Sequence, residues 1–226
     1  MPNNTLIALA GSFDKAQALS LIQQHFGGWQ RGPAKPAWNK AVPVGKAPVE
    51  GQGKLPGPSK YMLIGWRAPE RNTPDRLAQD LAEFILLNGK DALVPKRLLD
   101  EQDVAGLADA FNTGYDIGLS KIIVLPKPGV TPARIQQEVQ LAIDSFAKLP
   151  DADFQAYRQA YATGMRESQL NTHGLTGALG HAWAYDGDLA HAVTDPVRVL
   201  KLPRQAIAQA IKTTYRPANR VTVVTP

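Results

Sequence analysis

Residues 60–70 read "KYMLIGWRAPE" and residues 72–89 read "NTPDRLAQDLAEFILLNG". The first run is short, apolar and bounded by turn residues, which predicts a strand. The second carries Leu77, Leu81, Phe84 and Ile85 on one helical stripe. Thr73 is placed to cap that helix, Pro74 suits its first turn, and Gly89 ends it.

Outward from there the pattern alternates without a parallel-sheet rhythm. "ALVPKRLLDEQ" predicts a shorter helix. "GLADAFNTGYD" and "LSKIIVLPKPG" predict two strands joined by a turn around Asp116 to Gly118. Thr131 and Pro132 open a helix with Ile135, Val139, Ala142, Ile143 and Phe146 on one face. A further helix carries Phe154, Tyr157, Tyr161 and Met165, a third helical stretch covers 173–186, and a helix from Pro203 to Tyr215 precedes a strand at Arg220 to Thr225. Two adjacent strands, then a block of helices, then a closing strand favour an α+β domain. Its two layers are a mostly antiparallel sheet and helices on one face.

The opposite direction changes character. Residues 29–58 hold prolines 33, 36, 43, 48, 56 and 58 among glycines and lysines. Such a stretch cannot bury a face, and it reads as a linker or extended strap. Before it, Thr5 to Ala10 reads as a strand, and Ser12 is placed to cap a helix bearing Leu19, Ile22 and Phe26, stopped by Gly27-Gly28. One strand and one helix are too little for a core. The two ends of the chain also read alike: "PNNTLIALAG" and "RPANRVTVV" each lead from proline and asparagine into an apolar run.

Composition narrows the chemistry. With 44% hydrophobic and 20% charged residues, the chain has the make-up of an ordinary globular protein. No apolar run reaches the ~18 residues that would span a bilayer, and no signal peptide is visible. The absence of cysteine removes disulfides and thiolate chemistry. The formal charge is +5, with Lys201, Arg204, Lys212, Arg216 and Arg220 unopposed by any acid between 201 and 220. A solvated helix face accounts for this better than a nucleic-acid groove, because no aromatic residues interleave the basic ones in a binding motif.

Four stretches together resemble the pitrilysin/insulinase family of zinc metallopeptidases, the inverzincins related to the mitochondrial processing peptidase. They are "PNNTLIALAGSFDKAQALSLIQQHFGGW", "GKDALVPKRLLDEQDVAGLADAF", "LPKPGVTPARIQQEVQLAI" and "TTYRPANRVTVVTP". The resemblance implies two homologous α+β domains joined by a linker, with zinc on an H-x-x-E-H motif of the first. On that basis residues 1–28 would be the terminal strand and helix of the first domain, 29–58 the linker, and 59–226 the second domain. The resemblance further implies the substrate-chamber half of a metalloendopeptidase, located in a bacterial periplasm, with peptide substrate, a zinc-bearing domain or active partner subunit, and dimerisation. The alternative is a non-catalytic partner or structural subunit of a heterodimer.

The zinc motif itself is missing. His25, His173, His181 and His191 form no H-x-x-E-H helix, so zinc is expected on a domain outside this chain and hydrolysis by this chain alone is not expected. No G-x-S-x-G frame or phosphate-binding loop is present either. Active relatives also place an arginine and, seven residues later, a tyrosine against substrate. The matching positions here are Leu99 and Gly106. Arg97, Phe111 and Tyr115 remain as candidate substrate-binding residues, with Trp66, Trp183 and Tyr185 as further aromatics that either line a chamber or pack in the core.

Overall fold

A computed structural model describes residues 2–33, 47–53, 61–69, 73–88, 91–101, 103–108 and 118–225. Most of the 29–58 segment, and the expected turn before Gly118, lie outside the described residues.

The order of elements is α1 (Lys15–Phe26), β1 (Val49–Gln52), β2 (Met62–Ala68), α2 (Arg76–Leu87), α3 (Leu93–Asp100), β3 (Val104–Ala108), β4 (Gly118–Pro126), α4 (Pro132–Ser145), α5 (Asp151–Glu167), α6 (Thr172–His181), α7 (His191–Val199), α8 (Arg204–Thr214) and β5 (Arg220–Val224). The strands form one sheet in the order β1-β5-β2-β4-β3. β2 runs antiparallel to both β4 and β5, and β3 antiparallel to β4. Only the β1–β5 pair is parallel among the described strands. The expected α+β fold is therefore present.

Alternation decides which side of the sheet becomes core. Met62, Ile64 and Trp66 of β2 face Ile122 and Val124 of β4, and all are buried against α2, α4 and α8. Leu77, Leu81 and Ile85 of α2 supply the stripe that meets them, joined by Ile135 and Val139 of α4 and Ile207 of α8. Helices α5 and α7 form an outer tier beside α2. Phe154 is buried in the core cluster, with Tyr157 and Tyr161 packed on its edge. Trp66 therefore belongs to the core, not to a chamber wall; its ring lies 5.3 Å from that of Tyr215.

Several expectations shift in detail. Thr131 does cap α4, accepting the Arg134 N–H at 3.2 Å. The α1 cap is Asp14 in place of Ser12, and α2 starts at Arg76 behind Asp75 in place of Thr73. Residues 5–10 form no strand in the structure. The reverse error occurs at β1, which lies inside the expected linker. Its four residues are all exposed, so it is held by its backbone pairing with β5 and by the Gln136 amide donating to Glu50 at 2.9 Å, and it leaves no hydrophobic pattern to read. The stretch over 173–186 is α6 followed by a π-helical turn, Ala182–Asp186. Gly187, at φ 69°, ends that turn in the left-handed region, where a Cβ would be strained. The separate helix α7 was not expected.

β5 is locked into the middle of the sheet by polar groups at both ends. Asn219 donates to the carbonyls of Arg67 and Thr214, at 2.6 and 2.8 Å. Beyond the other end, Thr225 Oγ1 accepts the Tyr61 N–H at 2.7 Å. Under the sheet, the buried Tyr215 phenol shares a 2.8 Å hydrogen bond with Ser120. Burial pushes that phenol well above its ordinary value, with the charge of Glu83 adding and the Ser120 bond opposing. An unfolded tyrosine ionises near pH ~10 while this one stays neutral, so unfolding is favoured increasingly above that pH. Tyr215→Phe is expected to cost about 1–2 kcal/mol at neutral pH, because Ser120 loses its partner. It should also flatten the loss of stability between about pH 10 and 11 in denaturant titrations. An unchanged alkaline slope would contradict this role.

Candidate functional site

The sheet face turned away from the helices is apolar without being buried. Leu63, Ile123 and Val223 stand side by side across β2, β4 and β5 in register, and all three are only partly buried. Leu119, Val221 and Val49 extend the patch and are exposed. Gly51, Gly65 and Gly106 lie on the same face. At Gly65 a Cβ would meet Leu119 at 3.3 Å, so Leu119 already folds over that gap. A one-sided antiparallel sheet usually shows polar residues to water. This one shows mostly aliphatics, with Lys121 standing among them between Leu119 and Ile123 on β4 and Arg67 paired with Leu119 at the end of β2.

The sheet has two edges. β1 covers the β5 edge, and β3 forms the other. Gly106 faces open space there, since a Cβ built on it meets nothing within 4 Å. Leu99, at the end of α3, is exposed as well. Leu99 and Gly106, the positions that the resemblance matches to an arginine and a tyrosine, thus face outward and hold neither a charge nor a hydroxyl.

Of the candidate substrate residues, Phe111 and Tyr115 lie outside the described residues. Arg97 lies on α3, and its Nε donates to Glu138 Oε2 of α4 at 2.5 Å. Glu138 is 1% exposed. Its other oxygen meets Arg134 Nη1 at 2.6 Å, and Arg134 also holds Asp103 at 3.1 Å and Glu101 at 3.3 Å. The network ties α3, α4 and the lead-in to β3 together, and it commits the Nε–H of Arg97 within the fold while one Nη lies 4.0 Å from Glu101. Glu138 was not foreseen. Its signal was a carboxylate sitting on the apolar stripe of α4, between Ile135 and Ala142. Glu138→Ala is expected to cost about 2–3 kcal/mol, less than for a fully buried pair because both arginines can rehydrate. Arg97→Ala should cost only about 1 kcal/mol, since Arg134 still satisfies Glu138. Thermal melts of the two variants test that order.

Among the described residues the carboxylate–histidine grouping closest to a metal site is Asp186, His191 and Asp195, whose ligand atoms lie within 4.8 Å of one another. His191 and Asp195 are one turn apart on α7, and Asp186 comes from the π-helical turn. A cation already fills this place. Arg76 Nε meets Asp186 Oδ1 at 3.0 Å, Arg76 Nη2 hydrogen-bonds Asp195, and Arg76 Nη1 meets Asp80 at 3.2 Å. Arg198 takes the remaining oxygen of Asp195 at 2.8 Å. Burial by itself would lower the Arg76 guanidinium. The hydrogen bond to Asp195 and the charges of Asp80, Asp195 and Asp186 outweigh it and raise it. The donor set therefore does not fit zinc: one carboxylate has both oxygens taken, and a dication would sit against a guanidinium.

A family model described as peptidase M16 inactive domain matches residues 1–161. Among curated proteins no sequence matches. Among solved structures, a protease from Helicobacter pylori superposes at TM-score 0.81 with 15% identity, covering 95% of this chain and 53% of its own. The periplasmic protease PqqL from Escherichia coli gives TM-score 0.65 at 16% identity, covering 95% of this chain and 24% of its own. A Bordetella pertussis protein described as a candidate zinc protease gives TM-score 0.61 at 18% identity, covering 73% of this chain and 91% of its own. The chain spans about half the length of the first of these.

Proposed function

Because the chain belongs to the peptidase M16 inactive-domain family, we propose that it is the non-catalytic, substrate-chamber half of a zinc-dependent metalloendopeptidase. The observation that carries this reading is the apolar sheet face. A face of Leu63, Ile123, Val221 and Val223 left half-open to water costs solvation that a covering surface would recover. A peptide lying across it would bury its own apolar side chains, and β3, the last of the described strands on that side of the sheet, is where strand addition would extend it.

In this reading zinc and the hydrolytic step belong to a separate domain, which the histidines of this chain do not replace. Residues 2–28 would be the end of that domain. The support is local: α1 has no buried residue, and Ile7, Leu9, Leu19, Leu21, Phe26 and Trp29 are exposed. Such an apolar helix is not stable by itself and calls for a neighbour. A bacterial periplasmic setting and a dimeric enzyme follow from the same family reading.

The second reading is a structural partner of an active subunit. Leu99 and Gly106 favour it, because neither can stabilise developing charge. The two readings separate by reconstitution. The chain with zinc alone should leave a fluorogenic peptide uncut. With the zinc-bearing half added, the first reading expects cleavage that Ile123→Glu on the open face reduces at least about tenfold. The second expects a stable complex whose cleavage is indifferent to Ile123→Glu. Cleavage by the isolated chain with zinc would overturn both.

A further inference from the structure

A groove of about 770 Å³ runs between α4 and α8, on the helical side of the molecule and away from the open sheet face. Its floor is Ile143, Phe146, Ile211 and Tyr215, all part of the core. Ala147 and Ala208 stand on opposite walls, and their small side chains keep it open. Lys212 and Arg216 stand at the mouth, exposed and ion-paired with no carboxylate among the described residues. The third basic lining residue, Arg204, is committed elsewhere. It holds Asp151 at 2.7 Å and the carbonyls of Phe146 and Leu149 at 2.9 and 2.6 Å. Across the groove, Asp144 accepts from Gln140 at 2.9 Å.

We propose that this groove docks a short acidic segment of a partner protein, with a leucine or phenylalanine anchored on the floor and flanking carboxylates on Lys212 and Arg216. Charge sets the choice of occupant, because the acid-free basic run 201–220 supplies the α8 wall and leaves two cations free at the mouth. Size sets its length: the α8 wall from Arg204 to Lys212 is about 12 Å long, room for roughly four extended or eight helical residues. A buried apolar anchor ringed by charge is the usual form of an affinity-determining contact, with the charges acting mainly on encounter and selectivity. The groove lies on the face opposite the proposed chamber, so its test does not depend on the peptidase reading.

The probe is a fluorescein-labelled peptide, Gly-Glu-Glu-Leu-Phe-Glu-Glu-Gly, titrated with the full chain and read by anisotropy at about 50 mM salt. Saturable binding is expected, weakened at least about tenfold by the pair Lys212→Glu and Arg216→Glu. Ala208→Trp, which fills the groove from the α8 wall, should weaken it as much. Ala147→Trp on the opposite wall replaces it if the first variant melts early. A peptide with serine in place of leucine and phenylalanine should bind about tenfold more weakly. The proposal is overturned by absence of saturable binding, by equal binding when the groove is filled, or by displacement of the peptide with single-stranded DNA, which would mark a general polyanion surface.

Discussion

Replacing Arg76 with methionine is expected to destabilise the chain by about 3–5 kcal/mol at neutral pH, the loss seen when one partner of a buried ion pair is removed. Arg76 is the only described cation reaching Asp80, Asp186 and Asp195 together, and all four side chains are 10% exposed or less. Without it Asp186 and Asp195 lose their shared guanidinium in a poorly hydrated site, with His191 reaching only Asp186 and Arg198 only Asp195 at close range. The expected fall in melting temperature is about 6–20 °C for a chain of this size. A double variant, Arg76→Met with Asp195→Asn, should recover part of the loss because it removes a stranded charge along with the guanidinium. A fall of under about 2 °C for the single variant would show that the cluster is hydrated and its arginine dispensable.

Trp66→Ala is expected to cost about 3–5 kcal/mol through the cavity it leaves. The ring is 1% exposed and packs on Tyr215. Its indole N–H meets no acceptor among the described residues. The ring therefore stabilises by packing, and Trp66→Phe should cost distinctly less than Trp66→Ala, about 1–2 kcal/mol. Urea titrations of both variants measure the difference. Equal losses would mean that a polar contact of the indole matters more than its volume.

The fold was legible wherever burial is written into local periodicity. The stripes of α2, α4 and α5 and the Thr131–Pro132 start of α4 follow that rule. The face of β2 was not legible, because "YMLIGWRA" is apolar at both odd and even positions. Only tertiary packing decides that Trp66 turns inward and Leu63 outward. β1 escaped for the opposite reason, having no buried side chain at all. Helix α7 was hidden by Pro196 within it and by the Asp186–Gly187–Asp188 break before it. At the candidate sites, Arg76 and Asp195 are 119 positions apart, a pairing that no local pattern encodes. Arg97 could be named from sequence, but not the carboxylate that holds it.

The placement of β5 has a consequence for how the chain reaches this state. β5 lies between β1 and β2, the two earliest strands of the sheet, and it is the last of the elements to be synthesised. Its partners must therefore wait, with their backbone groups open, until Arg220 to Val224 has emerged from the ribosome. The antiparallel β2, β4 and β3 and the helices between them can collapse earlier, but among the described strands β1 has no neighbour other than β5. Contacts closed across more than 150 positions, such as Tyr61 with Thr225, are slow to form and leave sheet edges exposed meanwhile. Closure of this sheet thus waits for β5, and in the interval the unfilled place between β1 and β2 is its point of greatest exposure to mispairing.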